Sequence, residues 1–571
     1  MRMYGMKFSG AGFFLGLLVV SGYSSDQMNA KTIVPYAIDF SAMHSLNNKA
    51  AYVTSQCYTK TEDSKGGVHN PCFACHINSK APNYINDADL QESYDFSEYT
   101  RTNRFTNLFK DRTQAVAEIP DSRILEYVRE DNYRDKEGHL LLAEKLKALP
   151  KAWDVNENGK WDGYTPDCHF SFDEEGFDRD PRGNYTGWRA FAYSPFLGTF
   201  WPTNGSTDDV LIRLPEEFRQ DRNGEENLTV YKVNLAIVES LIKEKDIMID
   251  EADEVSLEVD LDQNGTLGRA NVVKFNWIKP TYDPATNRIK DFSMQYVGRA
   301  NALLQSNASL IAPGLYPNGT EFLHSVRYID IDETDSTIKM APRMKELRYG
   351  KKTHWNSYAQ MQNSAASEIK EKDQFPERLR KIIGNSEEGL GTGLGWVYQG
   401  FIEDETGSLR PQNYEETQYC IGCHSGIGAI VDSTFVFPRK LEKNGWYHWS
   451  QDPNGLKGIP EPLTRDGRGE YRRYLELNHA GDEFRANDEV MKRFFDERGR
   501  LKEEEAVKIR EDISTLLYPS AKRALEMNKA YKVIVEEQSY IYGRDAHVKP
   551  VENVHKNVES GQPTGIERIE F

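Results

Sequence analysis

The sequence predicts an α+β protein in which two helix-and-loop domains flank a β-rich middle region with long loops. Three observations predict it. Apolar residues recur at helical spacing on both sides of the chain, and between about residues 150 and 345 that period gives way to short β-branched runs among Asp, Asn, Gly and aromatic residues. A five-residue cysteine motif stands in each helical part, at residues 72–76 and 420–424. The composition shifts divide the chain into segments 1–30, 31–150, 151–345 and 346–571.

In the first segment, Arg2 and Lys7 precede an apolar run from Phe8 to Val20 that is followed by small and polar residues. A positive start, a short apolar core of about 13 residues against the ~20 needed to span a bilayer, and a cleavage zone between Gly22 and Ala30 predict a signal peptide. The stretch Val19-Val20-Ser21-Gly22-Tyr23 resembles a lipoprotein cleavage box with Tyr23 in place of the acylated cysteine, so lipid anchoring is not expected. The expected location is periplasmic or secreted, and the chain is not expected to be an integral membrane protein after signal removal. A net charge of -18 with 28% charged residues argues against nucleic acid as a partner.

From residue 31 to 150, Arg123 to Val128 and His139 to Leu146 carry helical spacing, and the first cysteine motif sits among Gly, Asn and Pro. In the middle segment, strands are expected at Thr229 to Val233, Val255 to Val259 and Val272 to Phe275. The aromatic-dense stretch from Gly187 to Pro202 reads as core packing, with a haem edge or substrate pocket as the functional alternative. In the last segment, Lys370 to Ile383 and Asn487 to Leu517 read as surface helices packed by one face.

Two loops of the middle segment have cation-binding spacing. Asp154, Asn156, Asn158 and Asp162 fall at positions 1, 3, 5 and 9 of a loop with Gly159 at position 6; Asp260, Asp262 and Asn264 with Gly265 repeat positions 1, 3, 5 and 6. Calcium is the candidate ion. Thr165 and Asn271 stand at position 12, where a bidentate Glu completes an EF-hand loop, and the competing reading is an Asx-turn held by its own side chains.

The two cysteine motifs are Cys72-Phe73-Ala74-Cys75-His76 and Cys420-Ile421-Gly422-Cys423-His424. Thiols at i and i+3 lie on one side of a helical turn, where the two vinyl groups of one haem can alkylate both, and the next residue offers an imidazole to its iron. A four-thiolate zinc site would require the two pairs to converge and needs no His after each second Cys. A thioredoxin-like dithiol belongs in a βαβ pattern, which neither motif has.

On these ten residues the chain resembles a dihaem c-type cytochrome. The resemblance implies two covalent c-type haems, thioethers at Cys72, Cys75, Cys420 and Cys423, and proximal ligation by His76 and His424. It implies electron transfer between a redox protein donor and acceptor; the alternative is a haem-dependent oxidoreductase, peroxidase-like or acting on a small molecule. The dihaem peroxidase group usually has its motifs closer together than the 348 positions from Cys72 to Cys420. Candidates for the far side of each iron are His44, His69, His354, His448 and His479. Cys57 and Cys168 remain, as a disulfide, as free thiols, or with Cys168 or His169 on an iron.

Overall fold

The computed structural model describes residues 52–571 except 63–64, 86–87, 198–203, 443–444, 449–454, 465, 479–486, 568 and 570–571. The signal-peptide expectation, His44 and His479 lie outside the described residues. The fold is α+β, built on one antiparallel sheet. Its nine strands are β1 (Phe177–Arg179), β2 (Tyr185–Phe191), β3 (Thr207–Arg213), β4 (Glu321–Ile331), β5 (Ile338–Lys352), β6 (Ile383–Asn385), β7 (Gly389–Gly391), β8 (Trp396–Glu403) and β9 (Leu409–Pro411). They lie in the order β6-β7-β8-β5-β4-β3-β2-β1, with β9 paired to β8. Four of the strands come from beyond residue 345, so the sheet runs across the boundary that composition suggests.

Period-two alternation assigns each strand a face. Leu211, Leu323, Leu347 and Phe401 point one way and pack with helix α2 (Leu141–Lys147), Trp153, Tyr164 and Trp188. Ile212, Phe322, Trp396 and Tyr398 point the other way, onto helices α3 (Leu228–Lys243) and α5 (Tyr414–His424). Helices α1 (Asp121–Arg129) and α6 (Ala521–Glu537) close a third cluster around Tyr328 and Ile402. Helix α4 (Tyr358–Gln374), opened by a capping box at Ser357, lies between β5 and β6 in the chain.

Arg123 to Val128 and the part of the second stretch from Leu141 onward are helical, in α1 and α2. Thr229 to Val233 is not a strand but the start of α3, capped by the Asn227 side chain, which accepts a hydrogen bond from Val230 N–H. Nearly the whole length of α3 is buried, so its apolar residues occupy every face and no helical period is left to read. Val255 to Leu257 is likewise helical, within Glu254–Leu257, while Val272 and Val273 do lie in a strand, Arg269–Val273. The stretch from Lys370 ends its helix at Gln374, and Asn487 to Leu517 is three short helices, Asp488–Phe494, Glu503–Glu511 and Ser514–Leu517.

The end of the chain returns to its beginning. Val554, Asn557 and Pro563 bridge to Thr59, Thr102 and Ser93, and Val551, Val554 and Val558 share an apolar cluster with Tyr58, Tyr94 and Phe105. The first cysteine motif is thereby built into the same compact unit as the second.

Candidate functional site

The second motif ends helix α5. Asn413 caps that helix by accepting from Glu416 N–H, and the Glu416 carboxylate accepts in return from Asn413 N–H. Glu416 is fully buried and held by two 2.8 Å bonds from Arg410. Next to it, Glu346 accepts from Arg348 (2.9 Å), Arg544 (2.6 Å) and Gln412 (3.0 Å). Burial raises the Glu346 pKa, but Arg348 and Arg544 outweigh it and hold the carboxyl down at about 2. Arg544 also donates to the Glu416 carbonyl. A buried ionic lattice thus fixes the helix that carries Cys420 and Cys423.

His424 is placed by a turn. Its Nδ1 lies 2.8 Å from the Ser433 carbonyl oxygen, which can only accept, so Nδ1 carries the hydrogen and Nε2 carries the lone pair. Asp432 and Ser433 both adopt left-handed backbone, and Asp432 is pinned by Lys352 Nζ at 2.6 Å and by Tyr316 N–H at 2.9 Å. The His424 ring packs against Tyr398 (4.7 Å between centroids) and Phe435 (5.5 Å). Burial pushes its pKa down to about 4, so the imidazole is neutral at pH 7.

The first motif begins in a 3-10 turn, Cys72–Ala74. Cys72 Sγ donates to Asn70 Oδ1 at 3.0 Å, and burial pushes its thiol pKa up. The Asn70 amide donates in turn to the Cys57 carbonyl at 2.7 Å. Gln91 Nε2 donates to the His76 carbonyl. An apolar cavity of about 230 Å³ opens beside this motif, lined among others by Phe73, Ala74, Ile77, Phe196, Arg439 and Tyr474.

The two motifs meet. Directly after His424 the chain runs over the first motif, where Ala429 N–H donates to the Cys75 carbonyl at 3.1 Å and Gly428 lies against the Ile77 backbone. Asn83 Nδ2, from the segment after the first motif, donates to the Ile427 carbonyl at 2.7 Å. Phe435, which touches His424, meets Phe196 of the cavity wall at 5.0 Å. The four motif thiols nevertheless do not gather into one metal-sized cluster with three or more ligands among the described residues. Cys57 and Cys168 are not bonded to each other, so the expected disulfide is corrected: Cys57 lies by the first motif, whereas Cys168 is buried under the sheet with Tyr133 and Trp188.

The two predicted cation loops share one architecture. In each, the position-1 aspartate accepts from the Gly N–H of position 6 at 2.9 Å: Asp154 from Gly159, Asp260 from Gly265. In each, a fully buried glutamate accepts from the backbone of positions 2 and 9. Glu387 takes Val155 (2.9 Å) and Asp162 (3.0 Å); Glu254 takes Leu261 (2.6 Å) and Gly268 (2.9 Å). In the first loop Asn156, Asn158 and Lys160 all bond to Asp162. In the second, Asp262 also accepts from Asn264 Nδ2, and Glu254, Asp260 and Asp262 bring their oxygens within 4.8 Å of one another.

Of the remaining candidates, His69 pairs with Thr61 in a small hairpin before the first motif, and His354 is exposed. His448 is buried on the far face of the sheet, stacked on Phe172 and 2.5 Å from Asp209. His169 lies on that side too, in the loop where its N–H donates to Asp178. Sequence reasoning passed over His324, Asp208 and Arg348, which sit on the α5 face of the sheet. The alternation of Phe322, His324 and Val326 along β4 is the signal that could have placed His324 on a buried face.

Among the described residues no helix is long and apolar enough to cross a membrane. A lipoprotein family matches residues 41–515 of this chain. An uncharacterized lipoprotein of Aquifex aeolicus (strain VF5) is 31% identical over 563 residues, covering 88% of this chain and 86% of the relative. No solved structure matches. The matches correct the resemblance to dihaem c-type cytochromes, because the family found along the chain is a lipoprotein family and not a haem-binding one. The electron-transfer function, the haem-dependent oxidoreductase alternative and the redox donor and acceptor inferred from that resemblance fall with it; ten motif residues could not identify a family. By its sequence from residue 41 to 515, the chain belongs to this family of lipoproteins, which are exported proteins.

Proposed function

We propose that this exported protein is a holder of two covalently attached haems, one on Cys72, Cys75 and His76 and one on Cys420, Cys423 and His424. What supports the reading above all is the state of His424: a half-buried, neutral imidazole whose Nδ1–H is committed to the Ser433 carbonyl, leaving Nε2 to ligate. That is the tautomer, and the supporting hydrogen bond from the other ring nitrogen, that a metal-binding histidine needs. The paired thiols of each motif and the apolar cavity beside Phe73, Ala74 and Ile77 suit a flat apolar ring attached there. A haem when bound supplies an iron with two axial positions for side chains to fill. The chain's own part is to hold the two motifs together, with Phe435 against His424 and Phe196 on the wall of the cavity beside the first motif.

The test is the mass and absorbance of the exported protein after denaturation, which strips any non-covalent ligand. Two haems are expected, with one lost in a Cys72→Ser, Cys75→Ser variant and the other in a Cys420→Ser, Cys423→Ser variant. A mass equal to the bare polypeptide overturns the proposal. A periplasmic or secreted form is supported by Tyr23, which stands where an acylated cysteine would be; recovery of the protein in the detergent phase on phase partitioning would refute that form.

A further inference from the structure

His324 stands on β4 directly opposite Arg348 of β5, on the sheet face covered by α5. The His424 ring packs on Tyr398 of β8, Tyr398 pairs with Gly350 of β5, and Gly350 pairs with Phe322, two residues before His324 on the same face of β4. His324 Nε2 lies 2.7 Å from Asp208 Oδ2. The same carboxylate oxygen accepts from Tyr193 OH at 2.5 Å, and the Asp208 side chain is 1% exposed. A carboxylate accepts, so Nε2 donates to Asp208, and Nδ1 is the ring nitrogen left to ligate in the neutral ring. This is the counterpart of His424, where a backbone carbonyl fixes the opposite tautomer.

The geometry points to His324 as the second axial ligand of the haem on Cys420 and Cys423, with Asp208 as its positioning residue. Metal-bound histidines commonly donate their other ring N–H to a carboxylate, which fixes the ring and raises its basicity. Among the five histidines that the sequence offered for this role, His354 is exposed and His448 lies on the opposite face of the sheet with Asp209. His69 belongs to the hairpin before the first motif, and His44 and His479 lie outside the described residues. His324 combines a half-buried position, a buried carboxylate partner and a place on the sheet face that carries His424. The inference rests on the haem-holding reading above.

The experiment compares the full-length exported protein with its His324→Ala, His324→Gln and Asp208→Asn variants. Covalent haem content is measured after denaturation, and spin state is measured by absorbance and electron paramagnetic resonance of the folded protein. Expected is two haems per chain in all four proteins. The low-spin signal of the second haem should be lost in both His324 variants and restored by added imidazole in His324→Ala, and its g-values should shift in Asp208→Asn. His324→Gln keeps a polar side chain beside Asp208 and guards against a folding defect in the alanine variant. Two haems with a spectrum unchanged by either His324 substitution overturn the assignment of His324 and leave the haem-holding reading standing. A wild-type protein without covalent haem overturns both.

Discussion

Placing a methyl group at Gly428 tests the meeting of the two motifs. A Cβ there would lie 2.0 Å from the Ile77 carbonyl oxygen, 2.9 Å from its carbon and 3.1 Å from its nitrogen. Ordinary contact needs roughly 3.4 Å, so one backbone or the other must retreat by more than about 1 Å, and such a shift breaks the 3.1 Å bond from Ala429 N–H to the Cys75 carbonyl. Unpairing a buried bond costs about 1–3 kcal/mol and overpacking about 1–3 kcal/mol more, so Gly428→Ala should lose about 2–6 kcal/mol. Gly428 is outside the left-handed region, so the loss is steric and not a glycine backbone effect. Two companions calibrate the result. Gly426→Ala meets only the end of the Ile85 side chain, at 2.1 Å, which can rotate aside, and should cost less. Gly268→Ala has nothing within 4 Å and should stay within about 0.5 kcal/mol of the parent. The assay is urea unfolding at constant slope. A Gly428→Ala protein as stable as Gly268→Ala would refute the claim that this contact joins the motifs.

Removing the Asp432 carboxylate in Asp432→Ala leaves Lys352 charged, fully buried and unpaired, and thermal unfolding should register a loss of about 3–5 kcal/mol. Burial pushes Lys345 down to about 7 from its ordinary 10.5, between the Tyr328 and Tyr531 rings. Between those values the unfolded chain binds a proton that the folded one does not, so stability rises with pH from this group. Relative to Lys345→Met, the parent should gain up to about 1.4 kcal/mol per pH unit between pH 7.5 and 9, and parallel curves would exclude the shift. Glu387→Gln and Glu254→Gln each point an amide N–H₂ at backbone donors and should cost about 2 kcal/mol or more in chemical denaturation; neutrality in both would mean that the glutamates do not seat the loops.

Short-range chemistry was legible without the fold. The spacing of Cys420, Cys423 and His424 places them together within about one turn at the end of α5, and the Asp-x-Asn-x-Asn-Gly and Asp-x-Asp-x-Asn-Gly spacings give the turn closed by Asp154 and Gly159 and its copy at Asp260 and Gly265. Such features depend on residues within a turn of one another, and backbone geometry alone sets their distances. The α+β class followed from the same local periods. Where burial was complete the period vanished, and α3 read as a strand because its β-branched residues are apolar on all sides.

Tertiary structure decided everything that joins distant segments. It set Glu387 under a loop 225 to 232 positions away, and it laid Ala429 on Cys75. The same packing aimed His324 and Arg348 from two strands at the helix of the second motif, and clamped the first motif with the last residues of the chain. A sequence states which groups are available and how neighbours along the chain are spaced. Which distant groups meet is chosen by the burial of apolar surface on the two faces of one sheet, and that depends on the whole chain at once.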